Sequence, residues 1–333
     1  MKFKPAFKFD MVSALRLLLY YAVAIISLLL SRVMGSVILS VIFCTVSIAF
    51  FTMLFSKNGI ITILPSLLPI VLIGFTESVI SAMSAFIIVI VSASFGLSLR
   101  KRLRPVETVL ITSAVFLVFS LCFAVVETVM SSGYFSIKES VSSILTLLDN
   151  TIAGVADAYK TTTGYSISNL GYISSTLKAI LVGLTLSSYI SATCFYYFLT
   201  MLIAKIIREK DVYSEKKSFE IMPSRASAWV FIVCVFISIF FTATSANVRF
   251  YTHLPTNIMI ILSPLFIFAG IYYLFNIKYK VEHASPVFTI IVIIASLLFG
   301  LIQIIPVYIA FSGITYTLRY GEKNSMRPTN DSQ

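Results

Sequence analysis

Charge is scarce in this sequence. Only 12% of its 333 residues are charged and 58% are hydrophobic, with a mean hydropathy of +0.97, whereas a soluble domain is roughly a quarter charged. A water-soluble fold must cover its outside with polar side chains, so soluble, disordered and nucleic-acid-binding classes are excluded. Cysteine is equally sparse. Cys44, Cys122, Cys194 and Cys234 each lie inside an apolar run, without a CxxC or a nearby histidine pair. That spacing excludes a disulfide framework and a zinc site and leaves four small hydrophobes. There are two histidines, His253 and His283, both between apolar runs, and no HExxH, Walker or GxSxG pattern. No catalytic residue, metal ligand or cofactor is assigned, and an enzyme is not expected.

What the sequence has in abundance is long apolar runs. A helix needs about 20 apolar residues to cross a hydrocarbon core of about 30 Å. Met11 to Phe55 is twice that length, broken at Ser31-Arg32, and Gly59 to Leu99 is again two lengths. Val106 to Met130, Leu177 to Ile207, Ala228 to Ala246 and Asn257 to Phe275 give spans five to eight. The last run, Pro286 to Leu318, is too long for one straight span and carries Pro306. The fold class expected is therefore an all-α integral membrane bundle of about nine transmembrane helices, with eight and ten as the neighbouring counts.

Lys and Arg collect in cytoplasmic loops. Lys2, Lys4, Lys8 and Arg16 open the chain, Arg100, Lys101, Arg102 and Arg104 follow span four, and six more basic residues from Lys205 to Arg225 follow span six. These clusters place the N-terminus of a multi-pass membrane protein in the cytoplasm. Nine spans would then leave Arg319, Lys323 and Arg327 outside, so either the last run turns back near Pro306 or the tail breaks the rule. The first apolar stretch is too long for the core of a cleavable signal peptide and is expected to remain as an anchor.

One long segment, 131–176, falls outside the bilayer. Ile137, Val141, Ile144, Leu145, Leu148, Ile152, Val155 and Tyr159 recur every three or four residues, with Lys138, Glu139, Asp149 and Asp157 largely between them. That is the period of an amphipathic helix, suited to the membrane interface or to capping the bundle. The domain plan is thus a six-span bundle over 1–207, a cytoplasmic loop over 208–227, a three-span region over 228–318 and a polar tail over 319–333.

Polar groups at membrane depth are the natural candidates for ligand binding. Glu77, between spans three and four, and Glu127, near the end of span five, both fall toward the outer side. They can receive a cationic ligand or proton, or simply sit solvated at headgroup level or beside Arg32. Gln303, three residues before Pro306, is either the polar lining of a broken helix or interhelical glue. Ser81, Ala85, Ser92 and Gly96 form a small-residue stripe along span four that suits close helix packing. The pairs Tyr20-Tyr21, Tyr196-Tyr197 and Tyr272-Tyr273 lie near span ends, where an interfacial belt is expected.

Several short motifs occur in a recognisable order: Arg100-Lys101-Arg102-Leu103-Arg104-Pro105, Phe219-Glu220-Ile221-Met222-Pro223-Ser224, Asn257-Ile258-Met259-Ile260, Ala269-Gly270-Ile271, and Gly313-Ile314-Thr315-Tyr316-Thr317-Leu318-Arg319. In this order the chain resembles the YybS-like family of bacterial membrane proteins. That family usually has an acidic residue inside the last motif, where Thr315 or Tyr316 stands here. Its first six spans are similar to the substrate-binding S components of energy-coupling-factor vitamin transporters. The resemblance implies a solute-binding membrane subunit that takes a small molecule from the outer side and docks on a separate transmembrane subunit driven by ATPases. The Ala-x-x-x-Ala docking pattern of S components is absent from the first span, where Ala14 is followed by Leu18 and Ala22 by Ile26. The alternative is a structural or assembly protein that meets envelope proteins through the outer amphipathic helix. In either case the lipid bilayer is a partner and nucleic acid is not.

Overall fold

The computed structural model describes residues 37–58, 79–132, 137–165, 170–208, 220–243, 253–278, 287–298 and 304–321, with isolated positions between 15 and 75. Among the described residues all regular structure is helical. The elements are α1 (Val37–Asn58), α2 (Val79–Arg100), α3 (Pro105–Ser132), α4 (Ile137–Thr163), α5 (Leu170–Ile206), α6 (Arg225–Ala243), α7 (Leu254–Tyr272), a π-helical turn (Tyr273–Lys278), α8 (Val287–Leu298) and α9 (Ile304–Tyr320).

Three helical stretches are long and apolar enough to cross a membrane: Pro105–Met130, Leu170–Ile206 and Leu254–Lys278. Cys44–Lys57, Ala85–Arg100 and Arg225–Phe241 are shorter apolar helices. Helix count and span count are different quantities here, because α4 is amphipathic and α8, at 12 residues, reaches only about 18 Å. Helix α5 has 37 residues, about 55 Å, so it exceeds a hydrocarbon core. It starts seven residues before the apolar run expected from Leu177, and those extra turns carry Ser174 and Thr176.

Local chemistry sets the helix ends. Pro105 occupies the first position of α3, where its missing N–H is harmless, and the Glu107 carboxylate accepts the Arg104 N–H at 3.0 Å, half of a capping box. Ser224 caps α6, its hydroxyl accepting the Ser227 N–H at 3.2 Å. Helix α4 stops at Gly164, whose φ of 76° is the left-handed cap that glycine adopts without strain. Pro264 sits inside α7 and cannot bond the Ile260 carbonyl. The Ser263 hydroxyl donates to that carbonyl instead, at 2.9 Å. Pro306 lies in the first turn of α9, so the helix begins two residues before it and the proline does not break an established helix.

The chain divides into two compact units. The first comprises residues 1–121, 189–223 and 265–333. In it α1 lies directly on α2. Gly96 faces Phe55 and Ser56, and a Cβ there would lie 2.8 Å from the Ser56 nitrogen, so the small-residue stripe serves internal packing. Ser92 donates to the Ile48 carbonyl at 3.2 Å. Helix α3 is held to both neighbours by consecutive residues: Thr112 meets Ser94 of α2 and Ser113 meets Thr193 of α5. Phe116 packs edge-on against Tyr189 at 5.0 Å. In the same unit α7 and α9 touch backbone to backbone at Gly270 and Gly313. Tyr273 stacks on Tyr316 at 5.3 Å, and the Tyr316 hydroxyl donates to the Glu220 carboxylate at 2.6 Å. Tyr197 and Tyr273 are therefore core residues, and the expected interfacial belt does not include them. Cys194 and Cys234 are buried, while Cys122 is exposed.

The second unit comprises residues 122–188 and 224–264. It contains α4, whose helical period is as expected but whose facing differs. Ala156 is buried and Leu145, Leu148, Asp149 and Ile152 are half-buried, whereas Val141, Val155 and Tyr159 are exposed. The inward face is rotated from the apolar stripe and includes Asp149, which meets Ser174 and Lys178 of α5.

Candidate functional site: the polar head of α5 and α7

Of the three ligand candidates, Glu77 and Gln303 lie outside the described residues. Glu127 is exposed near the end of α3. The polar side chains that the second unit does gather are others, and they come from α4, α5 and α7.

Asp149 reaches from α4 to the start of α5. Its carboxylate accepts from the Ser174 hydroxyl and, at 2.7 Å, from the Lys178 ammonium. Both donors favour the ionised form, so Lys178 first and Ser174 second hold the Asp149 carboxyl below its ordinary value. The folded group then loses its proton more readily than the unfolded one. Its contribution to anchoring α4 is complete above the ordinary carboxylate range near pH 4 and disappears as pH falls through the lowered value. Measured against the intrinsic rate at each pH, hydrogen exchange of α4 amides should be as well protected at pH 5 as at neutral pH and lose protection only below about pH 4. Asp149→Asn should abolish that step, and an unchanged pH profile would remove Asp149 as the anchor.

Two turns further along α5, Asn257 of α7 engages the helix backbone itself. Its Oδ1 accepts the Gly183 N–H at 2.8 Å, and its Nδ2 donates to the Ala179 carbonyl at 3.0 Å and to the His253 carbonyl of its own helix at 3.1 Å. Gly183 N–H and Ala179 C=O are the pair that a regular helix joins i to i−4. The carboxamide thus bridges the donor and the acceptor of one rung of α5. Only glycine allows it, since a Cβ at 183 would overlap Oδ1. Neighbouring polar contacts extend the site, with the Ser238 hydroxyl 3.3 Å from that of Thr256.

Two buried polar atoms lie one turn before this rung on the two helices. Thr176 Oγ1 and His253 Nε2 have no hydrogen-bond partner among the described residues. Each lost bond of this kind costs about 1–3 kcal/mol. The polar groups are a hydroxyl, an imidazole, a carboxamide and an ammonium, with one carboxylate as acceptor. They suit hydrogen bonding to a polar organic molecule. Among the described residues no group of three His, Cys, Asp or Glu side chains is arranged to hold a metal ion.

The sequence conceals these residues for a physical reason. Asp149 falls on the polar face of α4, and its partners stand 25 and 29 residues away. Asn257 opens one of the short motifs, yet nothing local connects it to a glycine 74 residues earlier. The usable signal is a lone carboxamide at the head of an apolar helix, which needs partners once dry. No family model, curated protein or solved structure matches this chain.

Proposed function

We propose that the protein is a multi-pass subunit of the bacterial inner membrane, with its N-terminus in the cytoplasm and about nine spans, that binds a small polar solute from the outer side. Separate transmembrane and ATPase subunits power movement of the solute, as the resemblance of the first six spans to S components implies. The observation that carries this reading is the polar head of α5 and α7. Asn257, Lys178 and Asp149 are fixed by hydrogen bonds there, and Thr176 and His253 each present an unbonded polar atom among the described residues. The order of motifs shared with the YybS-like family supports the same assignment. Several of those motif residues, Glu220, Asn257, Gly270, Gly313 and Tyr316, are contact residues in this fold.

A second reading rests on α4. Its exposed Val141, Val155 and Tyr159 offer an apolar flank to an envelope partner, as an assembly protein would require. One purification separates the two. The full chain is isolated from native membranes in mild detergent, and co-purifying proteins and small molecules are identified by mass spectrometry. An ATPase pair with a transmembrane partner, or one stoichiometric solute lost in Lys178→Gln, supports the solute-binding subunit. Envelope machinery without a solute, released by Val155→Glu, overturns it in favour of assembly.

A further inference from the structure

We propose that the turn joining α2 to α3 is a binding site for the phosphate of an anionic phospholipid. Four of the five residues from 100 to 104 are basic, and Arg100, Lys101, Arg102 and Arg104 are all exposed. Their backbone is fully committed. Lys101 N–H donates to the Leu97 carbonyl, Arg102 to Leu99 and Leu103 to Ser98, all at 3.0–3.1 Å, and Arg104 N–H donates to the Glu107 carboxylate. The main chain of the turn is therefore held by hydrogen bonds, and four exposed cationic side chains start from it within five residues.

Three features exceed what helix formation requires. A cation near the C-terminus of α2 is favoured by the helix dipole, but Arg104 stands at the N-terminus of α3, where the dipole opposes it. Arg102 has φ of 55°, the left-handed conformation that glycine usually supplies at a helix end. The other non-glycine residue with positive φ among those described is also an arginine, Arg208, just beyond α5. Finally, the nearby carboxylate, Glu107, is spent on a backbone N–H, and among the described residues no carboxylate pairs with any of the four cations. A glycine at 102 would relieve the backbone, so the guanidinium is there for its charge.

Position selects the anion. The turn links two apolar helices, one of them long enough to span a membrane, so it emerges where lipid phosphates lie. Arginine binds phosphate oxygens in a fork. Leu110 and Ile111, exposed on α3 just past the turn, can pack against the acyl chains of the same lipid. An inorganic phosphate would use only the cations.

The test uses the full chain in a neutral detergent, with phosphatidylglycerol, phosphatidylcholine and inorganic phosphate as probes. Bound lipid is counted by native mass spectrometry, and stabilisation is read from the melting temperature. Phosphatidylglycerol should bind and stabilise, with an effect that weakens as salt rises. Arg102→Gly should lower its affinity about fivefold while melting no lower than the parent in detergent alone. Lys101→Gln/Arg102→Gly/Arg104→Gln should lower it on the order of a hundredfold. Should that variant not fold, the single substitution still decides. The proposal is overturned if phosphatidylcholine binds equally well, if equimolar inorganic phosphate displaces the lipid, or if Arg102→Gly binds phosphatidylglycerol like the parent.

Discussion

Alanine at Gly270 should destabilise the protein by about 3 kcal/mol, near the top of the range for overfilled contacts. The added methyl would overlap the Ile309 carbonyl oxygen and lie 3.0 Å from the Gly313 nitrogen. Its obstacle is main chain, which has no rotamer to yield, so α7 and α9 must part. That separation also draws Tyr273 away from Tyr316, with which it stacks at 5.3 Å. Gly313→Ala meets the Phe266 carbonyl in the same way. Because either substitution opens one shared contact, the double variant should lose little more than each single one. Gly154→Ala is the control. Nothing lies within 4 Å of its Cβ position, so alanine should stabilise α4 by about 1 kcal/mol. Denaturation of the four variants in detergent gives the comparison. Parental stability of Gly270→Ala would show that the two helices do not need their backbone contact.

The second large effect is expected at the rung where α7 enters α5. Asn257→Leu keeps the volume and removes three hydrogen bonds. The Gly183 N–H and Ala179 C=O can still satisfy each other within α5, which limits the loss to about 2 kcal/mol. Gly183→Ala should cost more, because its methyl meets the carboxamide oxygen and would lie 3.0 Å from the Asn257 Cα. Asn257→Ala in the same chain removes the carboxamide that the methyl strikes. A double-mutant cycle should therefore return a coupling of about 1–2 kcal/mol. Strict additivity would mean that the carboxamide and the glycine do not act on one another.

The apolar runs are legible because a bilayer demands length and hydropathy, and both are local properties of a sequence. The long helices α3, α5 and α7 meet that demand. Helix α4 is legible as a helix for the same kind of reason, since periodicity is local. Its facing is not: Val155 and Tyr159 belong to the apolar stripe by spacing but are exposed, while Ala156 is buried. The inward side of the helix includes Asp149, which meets Lys178, and a bridge across 29 residues leaves no periodic trace. The stripe of Ser92 and Gly96 announces close packing, because small residues signal proximity without naming the neighbour. Glu77, Glu127 and Gln303 stand out in the sequence for being polar in apolar surroundings. The polar site of the second unit instead uses residues at a helix head, where polarity looks ordinary until two helices meet.

The π-helical turn Tyr273–Lys278 directly succeeds the glycine contact between α7 and α9. A wide turn of this kind holds one residue more than an α-helical turn would need. The helix therefore takes up one extra residue at this point. Deleting a single residue there converts the turn to ordinary pitch, and because the π turn spreads one residue more over nearly the same rotation, the chain beyond it keeps its facing. The contact of Lys278 with the Tyr308 hydroxyl, 3.3 Å away, which also meets Thr289, should then survive the deletion. A deletion in the regular part of α7 has no such slack and rotates everything beyond it by about 100°. The wide turn is thus a place where the chain can change length by one residue without redesigning its tightest contact.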